Sequence, residues 1–184
     1  MKFLSASRII VIGYAILVAF LLIEITVFKD HDQQIATQYQ KLINSQKNVH
    51  LIQQMQINAK TRSVYLSQIL YERDPFIEDA YIQEFQNAGN RFGVAKRQLL
   101  ETMAPQSLKD EFHILIKLIK ENSTRQKEII EHALNDHYVQ GQESYHAMLP
   151  HQTKIQATLS NYAEILNAHA DNAKQEYAEL IQHD

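Results

Sequence analysis

Residues that break helices are confined to a few places in this chain. The prolines stand at 75, 105 and 150, and the glycines at 13, 89, 93 and 141. An all-β sandwich needs a turn about every 8–12 residues, so unpunctuated stretches this long predict long helices. With 184 residues the chain has room for one domain and a tail. It has no cysteine, which excludes disulfides, zinc-thiolate sites, thiol catalysis and covalent haem. A formal net charge of −3 offers no basic face of the kind that nucleic acid requires.

One stretch is built for lipid. Ile9 to Phe28 reads IIVIGYAILVAFLLIEITVF, with Glu24 as its only charged residue at neutral pH. At about 1.5 Å per residue the run matches the ~30 Å hydrocarbon core of a bilayer. A cleaved signal peptide is the competing reading. Its apolar region is shorter, about 7–15 residues, and ends in small residues, whereas this run ends in Thr26-Val27-Phe28. A retained span is therefore expected over 9–28. Lys2 and Arg8 precede it, whereas Asp30 and Asp32 follow Lys29 closely. The positive-inside bias puts residues 1–8 in the cytoplasm and 29–184 outside, in the periplasm of a bacterium whose inner membrane holds the span. Glu24 reads as an interfacial carboxylate.

Beyond the span, residues at steps of three and four form apolar seams. The first runs Ile35, Gln38, Leu42, Ser45, Val49, Ile52, Gln56, Ala59, Ser63, Leu66 and Leu70. Asp74-Pro75 ends it, and Asp74 is placed to cap the next helix, with Pro75 at its first position. The second seam runs Ile77, Tyr81, Phe85, Ala88, Phe92, Ala95, Leu99 and Met103, with Gly89 and Gly93 offering a close approach to a neighbour. Ala104-Pro105 is the next break. The third runs Leu108, Phe112, Leu115, Ile119, Asn122, Gln126, Ile129 and Ala133, with Gly141 as a left-handed stop after Val139. The fourth, from Gln142, runs Tyr145, Met148, Gln152, Ile155, Leu159, Tyr162, Leu166, His169, Ala173, Tyr177 and Leu180, and Pro150 either kinks it or begins it. Short links force antiparallel neighbours, so the expected fold is all-α: an up-down-up-down four-helix bundle behind one transmembrane helix. The polar seam residues Gln38, Gln56, Asn122, Gln126 and Gln152 are expected to set register.

Arg62, Tyr65 and Leu66, then Tyr71, Asp74-Pro75-Phe76, Phe85, Ala88-Gly89, Arg91-Phe92, Ala95, Arg97 and Leu99-Leu100 resemble the four-helix-bundle sensor domain of bacterial transmembrane receptors. That domain serves chemotaxis receptors, diguanylate cyclases and histidine kinases. The resemblance covers about residues 8–184. It implies a periplasmic homodimeric sensor flanked by two spans, with an output domain that this sequence does not contain. The long fourth helix returns towards the membrane, so the chain is read as the N-terminal part of a longer receptor.

Two groups of residues carry binding chemistry. Rise-per-residue arithmetic sets Arg62, Arg125 and Lys154 at one height, a basic belt suited to a small anionic ligand, with Arg73 a weaker member. The competing reading is solvated charge. His132, His137, His146 and His151 flank the turn between the last two helices, where a divalent metal or acid sensing is conceivable, although no strict ligand spacing is present. His169 is expected on a seam as a hydrogen-bonded register residue. No nucleophile–base pair, phosphate loop or paired carboxylate motif occurs, so no catalysis and no cofactor are expected. The expected function is an extracytoplasmic sensor, partnered by the membrane, a second copy, and a small anion or a periplasmic binding protein. The alternatives are a single-span structural or adaptor bundle and a periplasmic metal- or stress-binding bundle.

Overall fold

A computed structural model describes residues 6–103 and 106–182; Lys2, the Ala104-Pro105 break and Asp184 lie outside them. The described chain is all-α, with four helices and no strand. They are α1 (Ala6–Tyr71), α2 (Pro75–Thr102), α3 (Gln106–Leu134) and α4 (Tyr138–Gln182).

Asp74 caps α2 as its side chain predicts. The Asp74 Oδ1 accepts from the Phe76 N–H at 2.9 Å, and Pro75 occupies the first helical position, where its missing N–H costs nothing. Such a cap contributes about 1 kcal/mol. At the other end the Met103 N–H donates to the Leu99 carbonyl.

The stop after α3 is not where the glycine suggested. No glycine has a positive φ; Asp136 does, at 59°. The His137 N–H donates to the His132 carbonyl at 2.8 Å and the Asp136 N–H to the Ala133 carbonyl at 3.0 Å. These two bonds form a Schellman motif with aspartate in the left-handed position. Aspartate tolerates that backbone better than most residues, and so the helix ends at Leu134, five residues early. Gly141 instead lies buried inside α4, where an added Cβ would stand 2.7 Å from Leu70 Cδ2. Of the two glycines expected to allow a close approach, Gly89 has the Arg62 guanidinium of α1 3.4 Å from where a Cβ would stand, whereas a Cβ on Gly93 meets nothing within 4 Å; the tightest approach is at Gly141. Pro150 lies within α4 without ending it. The His146 carbonyl loses its usual donor, and both residues are exposed, so water can replace it.

The chain divides into two compact units. One comprises residues 1–43 and 172–184. In it Tyr39 and Tyr177 stack with ring centres 5.6 Å apart, Lys41 pairs with Glu176, and Leu42 and Ala173 are buried. All of its side chains from Val11 to Phe28 are exposed, and this segment begins the one helix among the described residues that is long and apolar enough to cross a membrane.

The other unit spans residues 44–171 and holds two apolar clusters. The larger draws on all four helices: Ile52 and Met55 of α1, Phe92 and Leu99 of α2, Phe112 and Leu115 of α3, and Leu159 and Leu166 of α4. Phe112 meets Tyr162 edge to face at 5.2 Å. The smaller cluster joins Leu66, Ile69 and Leu70 to Phe85, Ile129, Ala133 and Met148. The buried face of α1 here is two residues wide: Leu51 and Met55 are buried beside Ile52, and Ile69 beside Leu70. Asn48 and Asn58, which a single-file seam leaves outside, are buried too. Asn48 bonds the Thr102 hydroxyl, and the Asn58 Oδ1 accepts from Arg91 at 3.1 Å.

Candidate binding site

Polar residues separate the two clusters. Along α1, Arg62 falls between Met55 and Leu66; along α3, Asn122 and Gln126 fall between Leu115 and Ile129; along α4, Gln152 falls between Met148 and Ile155. Together with Ala59, Phe92, Ile119, Ile155 and Gln156 they line a cavity of about 30 Å³ to which all four helices contribute. Asn122, Gln126 and Gln152 are at least nine-tenths buried, and Arg62, Ile119 and Gln156 are half-buried. Three polar atoms in this layer are shielded from solvent without a hydrogen-bond partner: Arg62 Nε, Asn122 Oδ1 and Gln152 Oε1. Buried polar groups are ordinarily satisfied, so three unpartnered atoms in one layer set it apart from the apolar clusters on either side.

Arg62 is held from α2. Its guanidinium carbon lies 4.2 Å from the centre of the Phe85 ring, in a cation–π contact. An added Cβ on Gly89 would lie 3.4 Å from that carbon, so the bare glycine leaves the guanidinium its room. Burial draws the Arg62 pKa below its ordinary value. No carboxylate pairs with it among the described residues. Arginine stays protonated at neutral pH, so the layer carries one positive charge.

Of the three residues expected in a basic belt, Arg62 alone lines the cavity. Arg125 and Lys154 are exposed, one residue from Gln126 and Ile155 respectively, and neither lines the cavity. Helical geometry explains this: a step of one residue turns a side chain about 100°, out of the core. Arg73 serves the distal end instead. It donates to the Leu70 and Glu72 carbonyls, and its guanidinium carbon lies 3.5 Å from the centre of the Tyr138 ring. Near it the Glu72 carboxylate accepts from the Arg73 and Asp74 N–H groups, which holds its pKa down. Glu78 is buried with Oε1 unpartnered; burial, then Asp79 and Asp136, push its pKa up. Burial and a bond with Asp136 raise the Tyr138 pKa.

The histidines stay apart. The His132 and His137 rings lie 6.3 Å apart, His146 stacks edge-on against Tyr145, and His137, His146 and His151 are exposed. Among the described residues no three His, Asp or Glu side chains come together to hold a metal ion. His169 is exposed, not on the buried seam, which passes from Leu166 to Ala173. Of the polar seam residues, Gln56 meets the Ser160 hydroxyl at 3.2 Å, whereas Asn122, Gln126 and Gln152 line the cavity.

Sequence spacing places Asn122, Gln126 and Gln152 on their seams, and the arithmetic that sets Arg62, Arg125 and Lys154 at one height brings Gln126 and Gln152 near it, but neither shows that Arg62 faces them. Arg62 lies next to Ser63 on the seam drawn from sequence, and only the two-residue width of the α1 face brings it in. No family model, curated protein or solved structure matches this chain.

Proposed function

We propose that the chain is the extracytoplasmic sensor module of a transmembrane signalling receptor. In this reading residues 9–28 cross the inner membrane of a bacterium, and the rest folds as an up-down-up-down bundle in the periplasm, dimerised through α1. The observation that carries the reading is the polar layer of Arg62, Asn122, Gln126 and Gln152, in which Arg62, Asn122 and Gln152 each hold an unpartnered atom. A purely structural bundle gains by filling such a layer with apolar side chains, because each unmade buried hydrogen bond costs about 1–3 kcal/mol. A sensor needs an interior that a ligand completes. The helix that carries Arg62 also carries the apolar segment, so a shift of α1 at the cavity has a direct path along one element. A coupling of about 1–3 kcal/mol suffices to change output several-fold or more.

A second copy of the chain fits the outer face of α1. His50, Ile57, Val64 and Tyr71 stand at intervals of seven, and all are exposed. A seven-residue repeat is the spacing at which two helices wrap around one another. Ile57 and Val64 line a surface groove with Lys60, Thr61, Tyr65 and Gln68, and the Gln68 Oε1 is shielded there without a partner.

The test uses the full chain in bacterial membranes, where every introduced cysteine is the only one. Ile57→Cys and Val64→Cys are expected to form inter-subunit disulfides, and Ile52→Cys, which faces the core, is not. A membrane-impermeant maleimide is expected to label Ile57→Cys from the periplasmic side. Failure to crosslink anywhere from 50 to 71 removes the dimer; labelling only after the membrane is opened reverses the orientation.

A further inference from the structure

The cavity has a chemistry of its own. A single cation stands in it with no carboxylate partner, and three buried carboxamides surround it. Water can satisfy the unmade hydrogen bonds but cannot neutralise the charge, and a half-buried guanidinium with no carboxylate beside it favours a guest of opposite sign. The matching guest is therefore an anion, and one positive group matches one negative charge. The carboxamides suit either face of such a guest. Each rotates about its last torsion to exchange its C=O for its NH₂, so at Asn122 and Gln152 an N–H donor takes the place of the orphaned oxygen when an anion arrives.

Size and walls narrow the class. About 30 Å³ holds two or three water-sized bodies at roughly 10–15 Å³ each, which is the bulk of formate or acetate. The walls of Ala59, Phe92, Ile119 and Ile155 are apolar and suit a methyl group better than a hydration shell. The planar edge of a guanidinium matches a carboxylate more closely than it matches a spherical halide.

We infer that the cavity walled by Arg62, Asn122, Gln126 and Gln152 is a binding site for a small monocarboxylate, no larger than acetate, held inside a single copy of the chain. The carboxylate accepts from the Arg62 Nε–H and from carboxamide N–H groups, and its short apolar end lies against Phe92 and Ile155. The inference rests on the sensor reading only for the use the cell makes of binding; the binding itself needs neither a membrane nor a dimer. Four heavy atoms set a ceiling on affinity at a Kd of about 40 μM, and a millimolar value is in keeping with so small a guest.

The test is an acetate-detected NMR titration of the full chain in detergent micelles, at constant ionic strength, with helical content monitored throughout. Sodium acetate is expected to saturate, and sodium chloride is expected not to compete. R62Q is expected to weaken acetate binding at least tenfold at unchanged helicity. R62K, which keeps the charge but loses the Nε–H, is expected to bind less well than the parent. R125Q and K154Q, whose charges lie outside the cavity, are expected to bind as the parent does. Absence of saturable acetate binding to the folded chain overturns the inference, as does equal competition by chloride, or an equal loss in R125Q. None of these outcomes alters the disulfide pattern along α1, so failure here and failure of the sensor reading are told apart.

Discussion

Two kinds of interior adjoin in the unit spanning residues 44–171. Around Phe112, Leu159 and Met55 the side chains are apolar and fully buried. One layer along, Asn122, Gln126 and Gln152 are nearly as buried, yet two of the three present an oxygen with no partner, and a half-buried arginine stands among them. The same four helices build both regions. Burial therefore does not separate them; what separates them is whether the buried atoms are satisfied. Apolar layers hold helices together without needing anything further, whereas the polar layer leaves hydrogen bonds for something else to make. A bundle of apolar layers alone has one packing to prefer. One interrupted by such a layer has a level at which apolar packing contributes less.

The contrast can be broken experimentally, starting with the largest effect. Phe112→Ala removes a fully buried ring from the larger cluster and is expected to cost about 3–5 kcal/mol in denaturant unfolding followed by helical circular dichroism. Gly141→Val pushes a branched side chain towards Leu70 and is expected to cost about 1–3 kcal/mol by overpacking. Asn122→Leu is expected to act in the opposite sense, raising stability by about 1 kcal/mol, because it replaces an unsatisfied amide with an apolar side chain. A loss of several kcal/mol there would show the layer to be a satisfied core like its neighbours. Gly93→Ala, with open space around its Cβ, is expected to gain up to about 1 kcal/mol from helix propensity in the same measurement.

The smallest effect concerns pH. The Glu78 pKa is raised, mainly by burial, so the folded chain resists its ionisation more than the unfolded chain does. The associated stability is present below the ordinary value of 4.5 and is lost as pH rises through the folded pKa. Glu78→Gln is expected to raise the Tm at pH 7 and to leave it nearly unchanged at pH 3. An equal rise at both values would assign the effect to packing.

Much of the architecture is legible in the residues. The α2 seam from Phe85 to Met103 is buried as its spacing implies, and the whole α3 seam from Leu108 to Ala133 is buried or half-buried. Asp74-Pro75 caps α2 because the side-chain acceptor and the fixed proline φ act locally. Predictions failed where a distant contact decided the outcome. Gly141 resembled a stop, but its small size serves the close approach to Leu70, and the left-handed residue is Asp136. His169 has the spacing of a core residue and is exposed.

The sequence by itself determined that the chain is helical, where α2 begins, and which segment is apolar enough for a bilayer, because propensity, capping and hydropathy are properties of neighbours along the chain. Only the tertiary structure decided that Arg62 joins Asn122, Gln126 and Gln152 around one cavity while Arg125 and Lys154 stay in solvent. Spacing fixes the face of a helix on which a residue sits to within the roughly 100° step of one position. Whether that face is one residue wide or two depends on which helices pack against it, and that width admits Arg62 to the interior.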